Sequence, residues 1–146
     1  MAFRHHNLTI ADVQETISKS AFHQLYCPEV LEVDNDNATL KLRVSMCEIF
    51  ERQPGTGQWH GGVLSSLVDI AGCYALLLVA GGPVLTLNFS TDYLRLATSD
   101  TLVAVAKVRR VGRTVSFVDV DIQNEANETV VTGHACYAIQ PNKPHI

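Results

Sequence analysis

At 146 residues, 47% hydrophobic and 18% charged, the chain has the make-up of one folded domain with enough apolar side chains for a real core. Fifteen acidic residues against eleven basic ones leave a net charge of −4, which lacks the basic footprint of a nucleic-acid binder. Cys27, Cys47, Cys73 and Cys136 form no CxxC pair and have no close histidine, which argues against a zinc site or a disulfide framework and for a reducing compartment.

Met1 to His6 lacks the apolar core of a signal peptide, so the cytoplasm is the expected location. Thr9 reads as a helix N-cap with Asp12 in the first turn, and Ile10, Val13, Ile17, Ala21 and Leu25 then recur at helical spacing until Pro28. A strand is expected from Val30 to Val33, and Asp34-Asn35-Asp36-Asn37 makes a hairpin turn. Ala38 to Val44 alternates Leu40, Leu42 and Val44 with polar residues, the pattern of a half-buried strand. Glu51 to Trp59, with Pro54, Gly55 and Gly57, reads as a loop.

A long helix then begins near His60 or Gly61 and ends near Gly81-Gly82-Pro83. It is apolar on nearly every face and should be buried on nearly every face. Four strand-like runs complete the chain: 84–96, 101–111, 113–123 and 128–139, with short connections that suggest an antiparallel meander. The expected class is α+β, a curved antiparallel sheet wrapped around one long central buried helix, in a single domain over 1–146.

Asp69 lies in the middle of that apolar helix. A carboxylate is rarely buried alone, because removing its charge from water costs several kcal/mol or more. It must shift its protonation, find a partner or line a cavity, and each makes it a candidate for chemistry. A membrane span is opposed by Asp69 itself, two serines, the glycines and the absence of flanking Lys or Arg. A purely structural carboxylate stays open. Gly61 and Gly62 start the helix, where unsatisfied backbone N–H groups suit an anion or a polarised carbonyl oxygen and glycine permits close approach. A tight turn would use the same pair. An N–H donor with a desolvated carboxylate is the minimum kit for hydrolysing an acyl compound.

Gly57-Gln58-Trp59-His60-Gly61-Gly62, with Asp69 two turns further on, resembles the signature of hotdog-fold acyl-CoA thioesterases of the phenylacetate-degradation, PaaI-like type. Residues 86–95, the 108–114 hairpin and the 130–139 strand resemble the C-terminal strands of that family. The resemblance implies a hotdog fold and hydrolysis of an aryl- or short- to medium-chain acyl-CoA, with no cofactor or metal. It makes Asp69 the general base or nucleophile and gives Gly61 an N–H that polarises the thioester carbonyl. His60 would hydrogen-bond near that carbonyl, and Thr86 would position the water. Substrate contacts would come from Gly62, Gln53, Arg110 and Arg113, the arginines near the coenzyme A phosphates with Arg109 beside them. It further implies a homodimer or homotetramer with sites at the dimer interface, and neither membrane nor nucleic acid as partner.

The family Asn six residues before the His is Pro54 here, which has no side-chain donor and no N–H. Gln53 is the neighbouring amide. That departure keeps a non-catalytic acyl-CoA-binding protein as the alternative. A hydratase of this fold would carry His five residues after the Asp, where this chain has Tyr74. The arginine cluster reads equally as a solvated hairpin edge, Trp59 as a packing residue and His134 as a satisfied structural histidine.

Overall fold

The computed structural model describes residues 6–80 and 83–140. Helix α1, Ile10–Ser18, starts as expected: Thr9 accepts from the Asp12 N–H and the Asp12 carboxylate accepts from Thr9 in return. The helical run does not continue to Leu25. It breaks at Lys19, and Ser20 caps a new short helix α2, Ala21–Gln24. Only Val13 and Ile17 of the five spaced apolar residues are buried, so tertiary packing supports the first two turns and nothing enforces the third.

Strands β1, Glu29–Asp34, and β2, Thr39–Ser45, form the first hairpin. A short 3₁₀ turn at Glu48–Phe50 precedes the loop and went unseen in the sequence. Helix α3 spans Gly61–Leu77 and is capped by His60. It ends earlier than Gly81 and Gly82, which lie outside the described residues. Strands β3, Val84–Tyr93, β4, Thr101–Val111, β5, Val115–Gln123, and β6, Thr129–Ile139, complete the order.

All pairings are antiparallel in one six-stranded sheet ordered β1-β2-β4-β5-β6-β3. The expected meander holds for β4, β5 and β6. Strand β3, however, lies outside β6 and ends the sheet, so the chain crosses the sheet before β4. Leu40, Leu42, Ala104, Ala106, Val120 and Ile122 are fully buried on the face that receives α3. Such burial contributes roughly 1.5–3 kcal/mol for each large aliphatic side chain. Gly72 lets the helix approach β6: a Cβ there would overlap the Tyr137 hydroxyl, which donates to the Asp69 carbonyl at 2.8 Å.

Burial of α3 is not all-round, in contrast to the sequence expectation. Leu64, Leu67, Val68, Ile70, Ala71 and Ala75 are buried, whereas Ser65, Ser66, Asp69 and Cys73 are half-buried and Gly62 is exposed. These positions recur every three or four residues and form one stripe. The sheet stops at β3 and covers the helix only partly. Among the described residues no helix is long and apolar enough to cross a membrane.

Candidate active site

The open stripe of α3 lies beside the edge strand β3, and the groove is the surface where the two meet. Asp69 lies on that stripe, and the Thr86 hydroxyl of β3 donates to its Oδ1 at 2.7 Å. The carboxylate therefore escapes full burial and gains a partner, two of the routes open to it. Thr86 takes one oxygen, and Oδ2 accepts no hydrogen bond among the described residues.

At the start of α3 the His60 Nδ1 accepts from the Gly62 N–H at 2.9 Å. Gly62 is thus committed to the helix cap, which leaves its N–H unavailable to a substrate. Val63 and Leu64 both donate to the His60 carbonyl. The Gly61 N–H has no acceptor among the described residues, so it is the free donor at the positive end of the helix. A cleft of about 320 Å³ adjoins it, lined by Trp59, Leu64, Leu96 and Ala97 among others.

Asp69 and Gly61 do not meet within one chain. Eight residues of helix separate them, about 12 Å along the axis. A carbonyl group would have to lie near 3 Å from the N–H and within reach of a water on the carboxylate. One protomer carries both halves of the kit but holds them apart.

Gln53 starts a tight turn in which its carbonyl accepts from the Thr56 N–H at 3.2 Å. Pro54 fills the second position and Gly55 the third, with φ of +79°, the residues such a turn demands. The Gln53 side chain is exposed and makes no hydrogen bond among the described residues. It makes no hydrogen bond to Asp69, whose carboxylate has Thr86 as its one hydrogen-bond donor among the described residues.

The arginines separate. Arg109 pairs with Asp119, whose other oxygen lies 2.6 Å from the His134 Nδ1. Burial pushes the Asp119 carboxyl up, but hydrogen bonds from His134 and Arg109 and their charges outweigh it and hold it below the usual range. These groups lie on the sheet face opposite α3, where His134 is satisfied by a carboxylate distant in sequence. Arg110 and Arg113 are exposed and pair with no carboxylate among the described residues. Trp59 is a packing residue, 2% exposed and stacked on Phe50, with its indole N–H donating to the Ser99 carbonyl.

Three residues near the groove gave no sequence signal. Tyr93 reaches from the end of β3 to Gly61 and Ser65. Cys73 lies one turn beyond Asp69, and burial together with the Asp69 charge pushes its thiol up to about 12. His23 stands 2.8 Å from the Tyr74 hydroxyl, and burial holds the imidazole below its usual range against the pull of Asp69. Tyr93 and His23 reach these positions through tertiary packing that no local spacing encodes, whereas Cys73 follows Asp69 by one turn of α3. Among the described residues, no cluster of three metal-ligating side chains is present.

Comparison with known proteins bears on the family and the fold. A family profile described as "Thioesterase superfamily" matches residues 56–131, a span that holds Gly61, Asp69, Thr86 and Tyr93. A Halobacterium salinarum protein with the provisional name of esterase is 33% identical over 99 residues, 64% of this chain and 65% of that protein. The match therefore spans less than two-thirds of that relative's length. The solved structure of a Haemophilus influenzae thioesterase covers this chain and itself completely, with a TM-score of 0.83 at 23% identity. The E. coli PaaI protein of the phenylacetic acid degradation operon covers 90% of this chain and 96% of its own, with a TM-score of 0.74 at 20% identity. At these identities the two structures show the shared hotdog fold.

Proposed function

The chain belongs to the thioesterase superfamily, and from that premise we propose that it hydrolyses an aryl- or short- to medium-chain acyl-CoA to the free acid and coenzyme A. The Thr86–Asp69 hydrogen bond carries the reading. It fixes the carboxylate in an open groove and leaves Oδ2 to take a proton. In this scheme water attacks the thioester carbonyl while Asp69 removes its proton. The oxyanion forms against a Gly61 N–H at a helix N-terminus. Collapse expels the thiolate, which recovers the proton from Asp69. A nucleophilic Asp69 would instead pass through a mixed anhydride. Cys73 is unsuited to attack, since its thiol stays protonated near neutral pH.

The 12 Å between Gly61 and Asp69 makes this a two-chain site. The edge strand β3 supports a homodimer: Leu85, Leu87 and Tyr93 are each more than half exposed, and an unpaired strand edge is a template for a second chain. In a two-fold antiparallel pairing, the Tyr93 end of one β3 lies beside the Thr86 end of the other. The midpoint between these residues falls at Phe89 and Ser90. Gly61 sits at the Tyr93 end and Asp69 at the Thr86 end, so each dimer has two sites, each with one group from either chain. His60 caps the donor helix, the cleft beside Gly61 suits an acyl group, and Arg110 and Arg113 are free to grip the coenzyme A phosphates. Gln53 is the amide available near the loop position held by Pro54.

Turnover of a panel of acyl-CoA thioesters by the wild type and by Asp69→Asn tests the reading. The variant should lose at least about a hundredfold in kcat while remaining folded, as expected for removal of a general base. Equal rates would rule out Asp69. A wild type that binds a non-hydrolysable acyl-CoA analogue but hydrolyses no thioester would make the chain a binding protein.

A further inference from the structure

Tyr93, the last residue of β3, supplies the one tertiary hydrogen bond to the Gly61–Gly62 peptide among the described residues. Its hydroxyl donates to the Gly61 carbonyl at 2.7 Å and also contacts the Ser65 hydroxyl. With the tyrosine proton committed to Gly61, Ser65 is the donor in the second contact. The ring lies 3.5 Å from the point a Gly61 Cβ would occupy, an ordinary van der Waals contact that covers one side of the glycine.

We propose that Tyr93 is a positioning residue that aims the Gly61 N–H at the substrate carbonyl. The proposal rests on the thioesterase reading above. Two consecutive glycines at a helix start leave the backbone with more conformational freedom than any other pair. An oxyanion donor needs the opposite, since its benefit depends on being fixed before charge develops. The hydrogen bonds around Gly61 resolve this conflict. The Gly61–Gly62 peptide is held at both ends, its carbonyl by Tyr93 and its N–H by His60 Nδ1. The preceding peptide is held by its carbonyl, which accepts from Val63 and Leu64. Its N–H, that of Gly61, projects freely from this clamped pair.

Strand β3 then carries both registrations of the groove. Thr86 fixes Asp69 and, seven residues later, Tyr93 fixes Gly61. Because β3 is also the edge that a second chain would pair with, its length sets how the donor of one protomer meets the carboxylate of the other. Tyr93 touches no reacting atom in this arrangement and acts through Gly61.

Tyr93→Phe keeps the ring against Gly61 and removes both hydroxyl contacts. Steady-state acyl-CoA turnover, the backbone amide resonances of Gly61 and Gly62, and the oligomeric state by light scattering are the readouts. The expected result is a kcat lower by about tenfold with KM within about twofold, as for loss of geometry felt mainly in the transition state. The Gly62 amide resonance should move while the dimer persists. Ser65→Ala leaves the Tyr93–Gly61 bond in place and should stay within about threefold of wild type. Unchanged kcat in Tyr93→Phe, or a KM rise that accounts for the whole loss, would overturn the proposal. Should the wild type turn over no acyl-CoA, the thioesterase reading falls and the amide readout decides Tyr93 alone. Unmoved resonances then overturn its role, and displaced ones retain it only as the residue that orders the Gly61–Gly62 peptide.

Discussion

Asp69 and Cys73 stand one helical turn apart on the same stripe of α3, and their surroundings push them to opposite chemistry. Asp69 faces the groove and accepts a hydrogen bond from Thr86. Cys73 is held neutral by burial and by the negative charge of Asp69, at about 12. A thiolate is the reactive form of cysteine, so Cys73 should resist alkylation. Iodoacetamide at about pH 8 under native conditions, close to the ordinary thiol range, should label the exposed Cys27 and Cys47 well before Cys73, as read by mass spectrometry over time. Labelling of Cys73 as fast as these two would contradict a thiol kept protonated by burial and by Asp69. At this scale the sequence singles out Asp69 and Gly61 as candidates, because a charge in an apolar helix and a donor at its start are local signals. It was silent on Tyr93, which reaches Gly61 from 32 residues away. It was silent too on the Gly62 N–H, which donates to the His60 ring in the helix cap.

Among the elements, α3 and β3 define the site and were legible to different degrees. The start of α3 is set by its capping residues, and its apolar content by the sheet that wraps it. Its open stripe is not local in origin, since Ser65, Ser66, Asp69 and Cys73 become a face only once β3 is known to end the sheet. The position of β3 at that edge is a long-range pairing with β6, which the short connections of the chain conceal. This strand is where a charge should do most harm. Leu87 is 55% exposed at the point where the β3–β6 register slips, and lysine at a sheet edge opposes pairing with another chain. Leu87→Lys should keep the far-ultraviolet circular dichroism of the wild type yet run as a monomer in light scattering, with acyl-CoA turnover reduced at least about tenfold because each site loses its partner. A monomeric variant with undiminished turnover would mean that one chain holds a complete site.

For the whole molecule, fold and chemistry are linked through that distance along α3. A helix long enough to fill the sheet places its N-terminal donor about 12 Å from a carboxylate two turns in, so the architecture that buries the core also separates the two groups proposed for catalysis. In the proposed dimer, a second copy across β3 brings them together without altering either chain. The order of elements, the central helix and the family could be read from the sequence, because they rest on periodicity, turn residues and one compact motif. The proposed sharing of the site could be read from the sequence only as a resemblance. Its physical basis is a length measured along a helix and an edge strand left unpaired.

Subunit mixing tests that claim most directly. Gly61→Pro deletes the N–H at a helix position that accepts proline, and Asp69→Asn deletes the base, so each variant alone should be nearly inactive. Mixed and allowed to exchange, equal amounts should form hybrid dimers in about half of the population, each with one intact site, and recover about a quarter of wild-type acyl-CoA turnover. Activity no greater than the sum of the two separate variants, with hybrid dimers demonstrated by native mass spectrometry, would contradict a site built from Asp69 of one chain and Gly61 of the other.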